Sequence, residues 1–151
     1  VTTSIMEKVL SQEFRKDLCN DMFTIKYIMK NLELEGSRII IFDNPRPQRT
    51  VSAHEYDVDA WAIYKTDISK NNIHEENQLF VQLLCARQGL GTPLLEAIIK
   101  RANEEKKTEI LLIPIKDARG FYTKSGFKNE GESTMKLTKG EGIWTGRLNN
   151  S

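Results

Sequence analysis

Residues 78–127 switch hydrophobic period repeatedly, and this run restricts the fold more than any other stretch of the chain. QLFVQLLCA (78–86) is an apolar segment of strand length, and RQGLG, a turn with two glycines, follows it. Residues 92–107 place apolar side chains at helical spacing, EILLIPI (109–115) returns to a short strand, and 117–125 is helical again up to Gly126. A strand, a crossover helix and a second strand pack side by side and parallel, because a parallel neighbour is reached only by such a crossover.

The upstream half predicts an antiparallel meander. SRIIIFD (37–43) and DVDAWAIYKTDI (57–68) precede the strand 78–86, with Pro45 and Pro47 forcing a loop after the first and a polar connection at 69–76 after the second. Residues 5–34 carry Met6, Val9, Leu10, Phe14, Leu18, Met22 and Ile25 on one helical face, with a break near 19–21 where Asn20 and Asp21 can cap a second helix. The tail ESTMKLTKGEGIWTGRLN (132–149) supplies one or two more strands, and its Trp144 is a candidate for pairing across a dimer or closing an acceptor site. The expected class is α/β, with one domain over 1–151 and a mixed, mostly antiparallel sheet flanked by helices.

With 151 residues and a net charge of +1, the chain lacks the basic excess that bulk binding to nucleic acid requires. Its two cysteines, Cys19 and Cys85, fall in apolar patterns and read as buried thiols, too few for a disulfide framework. No apolar run approaches the ~18 residues of a membrane span, and no signal pattern opens the chain. The expected setting is therefore intracellular and cytoplasmic, with no membrane partner, as a monomer or homodimer. The two histidines, His54 and His74, stand at no ligand spacing to a cysteine pair, so no metal site is expected.

The glycine turn offers an anion site. Thr92 is a candidate N-cap with Pro93 at the first helical position, and a helix start exposes unpaired N–H groups that suit a phosphate. The spacing excludes two familiar phosphate loops. No lysine stands where a nucleotide-triphosphatase loop needs one, and Leu94 occupies the third-glycine position of a dinucleotide fingerprint. A tight corner without a ligand is the competing reading.

One strand later comes DARGFYTKSGF (117–127), with Asp117 as a candidate helix cap and Gly126 as its terminator. Taken together, G-L-G-T-x-L-L and A-x-x-F-Y-x-K-x-G-F resemble the GCN5-related N-acetyltransferase (GNAT) superfamily, with Met135-Lys136-Leu137 similar to its closing strand. The resemblance covers 78–138 by motif and 1–77 only by the order of elements. It implies that strands 78–86 and 109–115 splay at their C-terminal ends and that acetyl-CoA, the cosubstrate, lies in the split. Leu84, Cys85 and Ala86 would carry the pantetheine arm, and the backbone of Arg87, Gln88, Gly89, Leu90, Gly91 and Thr92 the pyrophosphate. Asp117, Phe121 and Lys124 would complete the cofactor side.

Tyr122 matches the family's general acid, which protonates the departing thiolate, although a half-buried structural aromatic is the plainer reading. The implied activity is acetyl transfer to a primary amine, on a small molecule or a protein, in a ternary complex. The alternative is a non-catalytic module of the same fold that binds a CoA species or a partner. Ala86 replaces the family's usual Gln or Arg, and Ile115 an Asn common in the family. General-base candidates are Glu75, Glu76, His54, Glu55, Asp57 and Asp59, and HEYDVD (54–59) is a candidate amine-recognition segment. Cys85 as an acyl-enzyme nucleophile is disfavoured by its apolar setting.

Overall fold

The computed structural model describes residues 25–43, 58–66, 76–86 and 89–145. In chain order these form helix α1 (Ile25–Glu33), strands β1 (Ser37–Asp43), β2 (Val58–Lys65) and β3 (Gln78–Ala86), and helix α2 (Gly91–Glu104). There follow β4 (Glu109–Leu112), a 3-10 turn (Lys116–Ala118), helix α3 (Arg119–Lys124), β5 (Lys128–Asn129) and β6 (Met135–Thr138). One sheet holds all six strands in the order β1-β2-β3-β4-β6-β5, and only the β3–β4 pair is parallel. The expected meander and crossover are therefore both present. Of the helical region expected over 5–34, only α1 lies within the described residues.

Helices cover both faces of the sheet. Leu94, Leu95, Ile98, Ile99 and Ala102 of α2 pack on Ala60, Ala62, Leu79, Val81 and Ile110, while Ile28 and Leu32 of α1 pack on Trp61, Ile63, Leu83 and Cys85. Strand β3 contributes to both layers by changing face midway. Ile63 opposes Leu83 but the next residue, Tyr64, opposes Val81, so Gln82 is an extra residue on β3. An unpaired residue of this kind inverts the alternation beyond it, which turns Leu79 and Val81 toward α2 and Leu83 and Cys85 toward α1.

The β3–β4 pairing stops at the same place. It runs from Gln78↔Glu109 to Val81↔Leu112, whereas β3 remains paired with β2 as far as Ala86. At the closed end, Gln78 Nε2 donates to Glu109 Oε1 at 2.8 Å and Lys136 Nζ lies 3.2 Å from Glu109 Oε2, tying β3, β4 and β6 together. Strand β4 was expected to reach 115 but ends at Leu112. Pro114 has no N–H to donate, and Ile113 and Ile115 turn outward as exposed apolar residues. The two parallel strands therefore part after Val81, leaving the 82–86 edge of β3 without a strand neighbour on that side among the described residues.

Two further expectations are corrected. Trp144 is fully buried in the chain's own α2-side core and its Nε1–H donates to Asn103 Oδ1 at 3.0 Å, so it neither reaches a dimer partner nor closes an acceptor site. Cys85 is disulfide-bonded rather than a free thiol, its partner lying outside the described residues, so the cysteines give no support for a reducing compartment. Among the described residues no helix is long and apolar enough to cross a membrane.

Candidate active site

A cleft of about 840 Å³ opens where β3 and β4 part. One wall is the free edge of β3, with Leu84, Cys85 and Ala86; the opposite wall is Leu112, Ile113, Pro114 and Ile115 leaving β4. Gly89, Gly91 and Thr92 close one end, and Phe121 and Tyr122 of α3 form the floor on the α2 side. The fold thus brings eight of the sequence-predicted residues to one cavity: Leu84, Cys85, Ala86, Gly89, Gly91, Thr92, Phe121 and Tyr122. The side chain of Cys85 points into the α1-side core and is held in its disulfide, which removes it as a nucleophile.

The other predicted residues fall elsewhere. Leu90 packs against the core below the cleft, and Arg87 and Gln88 lie outside the described residues. Asp117 and Lys124 are exposed and do not line the cavity. Asp117 does not cap α3 either; Ala118 is the N-cap, with no side-chain hydrogen bond. Glu76 stands at the other end of β3, where its carbonyl accepts from Lys107 Nζ at 2.6 Å, away from the split. Glu75, His54, Glu55 and Asp57, and the side chain of Asp59, lie outside the described residues.

The start of α2 carries no side-chain cap. The helix begins at Gly91, with Leu90 as N-cap, rather than after Thr92, and its first bond is Leu94 N–H to the Leu90 carbonyl at 3.0 Å. That leaves the Gly91 and Thr92 N–H groups without a partner among the described residues, at the positive end of the helix and on the cleft. Gly89 has φ +89° and nothing within 4 Å of where a Cβ would stand, so the conformation asks for glycine while the space beside it stays open. A phosphate group fits that cradle.

Gly91 serves a different purpose. A Cβ there would stand 2.7 Å from Phe121 Cζ, so its missing side chain lets the Phe121 ring lie against the helix start. We expect Gly91→Ala to displace that ring and lower stability by about 1–3 kcal/mol, as overpacking does. Chemical denaturation of Gly91→Ala, Phe121→Leu and the double variant checks this, with the second change relieving most of the first.

Tyr122 is 5% exposed and flanked edge-on by Phe121 at 5.2 Å and Phe127 at 5.4 Å between ring centroids. Burial among these rings pushes its phenol up to about 12, so it holds its proton throughout the neutral range. The cleft thus combines an open strand edge, an uncapped helix start and a protonated phenol. Such a site can hold an extended arm ending in an anion and deliver a proton between the two strands.

The profile of the acetyltransferase (GNAT) domain family matches residues 52–140, more than half of the chain. The chain belongs to the GNAT acetyltransferase family. As a GNAT protein it is an N-acetyltransferase with acetyl-CoA as cosubstrate, and the cleft fits that cosubstrate in the open Gly89 cradle and the free β3 edge. A search against curated proteins gave no significant match. Among solved structures, the ribosomal-protein-S18-alanine N-acetyltransferase from Escherichia coli shares 16% identity at a TM-score of 0.60, covering 91% of this chain and 90% of that one. Tetrahymena GCN5 shares 13% at a TM-score of 0.59, covering 83% and 84%. AtaTR bound with AcCoA shares 12% at a TM-score of 0.52, covering 74% and 75%. Identities this low show that this GNAT domain has their fold.

Sequence reasoning missed what lines the α1 side of the cleft: Tyr27, Asn31, Lys65, Phe80 and Gln82. Gln82 carries a readable signal only after pairing, as the extra residue of β3. Its Oε1 lies 3.1 Å from Ser37 Oγ and its Nε2 donates to the Asn31 carbonyl at 3.3 Å.

Proposed function

We propose that this GNAT protein moves the acetyl group directly to a primary amine in a ternary complex, with Tyr122 as general acid. The observation that carries this is the parting of β3 from β4 after Val81 into a cleft that the buried Tyr122 also lines. Acetyl-CoA supplies an acetyl thioester: the new C–N bond forms as the C–S bond breaks, the amine loses a proton, and the sulfur departs with the electron pair. The 82–86 edge of β3, through Leu84, Cys85 and Ala86, holds the pantetheine arm by backbone hydrogen bonds. The Gly89, Gly91 and Thr92 backbone, with Arg87, Gln88 and Leu90, receives the pyrophosphate. The loss of a Gln or Arg at Ala86 removes one side-chain contact and leaves this backbone cradle intact.

Tyr122 holds its proton at Oη and gives it to the departing sulfur. A phenol raised by burial is a weak acid in water, but an apolar cleft disfavours the bare thiolate by the same physics, which favours the transfer. Among the described residues lining the cleft there is no carboxylate or imidazole, so the amine's proton passes to water or to a residue outside that set.

The test is titration with acetyl-CoA followed by thiol release across a panel of primary amines. The proposal expects saturable binding and amine-dependent release. Absence of acetyl-CoA binding would refute the site. Binding with no release on any amine would favour a module that holds CoA without turnover.

A further inference from the structure

Lys65 ends β2 on the α1 side of the sheet, opposite Ser37 of β1 and Phe80 of β3. It lines the cleft and is only 6% exposed. No ion pair or hydrogen bond reaches its ammonium among the described residues, and it is the only charged residue among those of them that line the cleft. Removing an ammonium from water without a counter-charge is costly, so a buried lysine on a substrate cleft calls for an anion.

We infer that the acceptor is an amine that also carries a carboxylate, and that Lys65 binds this carboxylate on the α1 side of the cleft. This rests on the acetyl-transfer reading above. The anion is not the cofactor's pyrophosphate. Lys65 pairs with Phe80, and Ala86, next to the glycine cradle, lies six residues further along β3, about 20 Å at a strand's rise. Two cationic features therefore stand at opposite ends of one cleft, the uncapped helix start for the cofactor and Lys65 for the acceptor. The negative end of α1 does not replace a counter-ion. Its Asn31 carbonyl already accepts from Ser37 Oγ at 2.8 Å and from Gln82 Nε2 at 3.3 Å. Tyr27 of α1 and Leu34 just past its end, both half-exposed on the cleft, offer apolar cover for the carbon frame between amine and carboxylate. A second positive charge on the acceptor would meet Lys65 and be rejected.

The experiment measures binding as well as turnover. ω-Amino acids from glycine to δ-aminovalerate are titrated calorimetrically into the protein saturated with CoA, each beside the alkylamine of equal length, with putrescine as the dication and phosphoethanolamine as the phosphate arm. Steady-state KM values are taken with acetyl-CoA. At least one amino acid is expected to bind about tenfold or more tightly than its matched alkylamine, the size of one charge-assisted contact. Lys65→Met is expected to erase that difference through KM with the acetyl-CoA affinity unchanged, and Lys65→Arg, which keeps the charge, to retain it. Preference for alkylamines or putrescine throughout, for phosphoethanolamine over every carboxylate, or a carboxylate preference that survives Lys65→Met, would overturn the inference. Failure of acetyl-CoA itself to bind would instead overturn the reading on which it rests.

Discussion

Tyr122→Phe is expected to lower kcat by about 10²-fold or more while leaving acetyl-CoA affinity nearly unchanged, because the ring stays and only the proton donor goes. The Phe side chain keeps the edge-on contacts to Phe121 and Phe127, so folding should be little affected. The fall in kcat at retained acetyl-CoA affinity separates a general acid from a packing residue, and the pH profile checks the proton's hold. Burial holds the Tyr122 phenol at about 12, so the active, protonated form is complete at neutral pH and declines only as pH rises toward that value. The wild-type protein should therefore show no loss of kcat from this group below about pH 10, the ordinary range of a tyrosine. The same shift has a stability consequence of matching sign. The neutral phenol is favoured in the folded state, so its contribution is complete below the unfolded value near ~10 and is lost as pH climbs through the folded one. Stopped-flow thiol release from pH 6 to 10 on both proteins is the check. An equal kcat for the two would remove Tyr122 from the chemistry.

Trp144→Ala is the largest stability change expected, about 3–5 kcal/mol, because it empties a fully buried indole site in the α2-side core. For a chain of this size that corresponds to a fall in Tm of roughly 10 °C. The indole also gives up its hydrogen bond to Asn103 of α2. Trp144→Phe keeps most of the packing and should cost much less, which separates volume from the polar contact. The loss should spread to the active site. Residues 139–145 brace the end of α3: the Ile143 N–H donates to the Ser125 carbonyl at 3.0 Å, and the backbones of Gly126 and Gly142 meet with no room for a Cβ. Since α3 carries Tyr122, Trp144→Ala should also lower kcat at temperatures where the protein is still folded. Thermal denaturation together with thiol release at 20 °C below the variant's midpoint reads both effects.

Much of the sheet was legible in the sequence because apolar runs bounded by turn residues mark strands locally. Ser37–Asp43 and Gln78–Ala86 fall where SRIIIFD and QLFVQLLCA place them. What escaped depends on contacts between distant residues. The extra residue at Gln82 exists only relative to β2, and no pattern within QLFVQLLCA announces that its two halves face opposite layers. Gly91 looked like a glycine required only for phosphate approach, but its absent Cβ also makes room for a ring thirty residues further on. Trp144 in a glycine-rich tail read as a surface aromatic until α2 and the α3 terminus closed over it. Lys65 reads, at the end of a strand, as a solvated charge, and its burial appears only in the folded chain. The catalytic tyrosine candidate was legible because its motif is local, and its raised proton affinity was not, because burial comes from Phe121 and Phe127 in the folded chain.

The central claim is that the split between β3 and β4 is the acetyl-CoA site. A crystal structure with CoA bound tests it most directly. The account predicts the pantetheine arm hydrogen-bonded along the 82–86 edge of β3, the pyrophosphate on the Gly91 and Thr92 N–H groups, and the sulfur within hydrogen-bonding reach of Tyr122 Oη. CoA seated elsewhere, or in the split with its sulfur turned away from Tyr122, would contradict it.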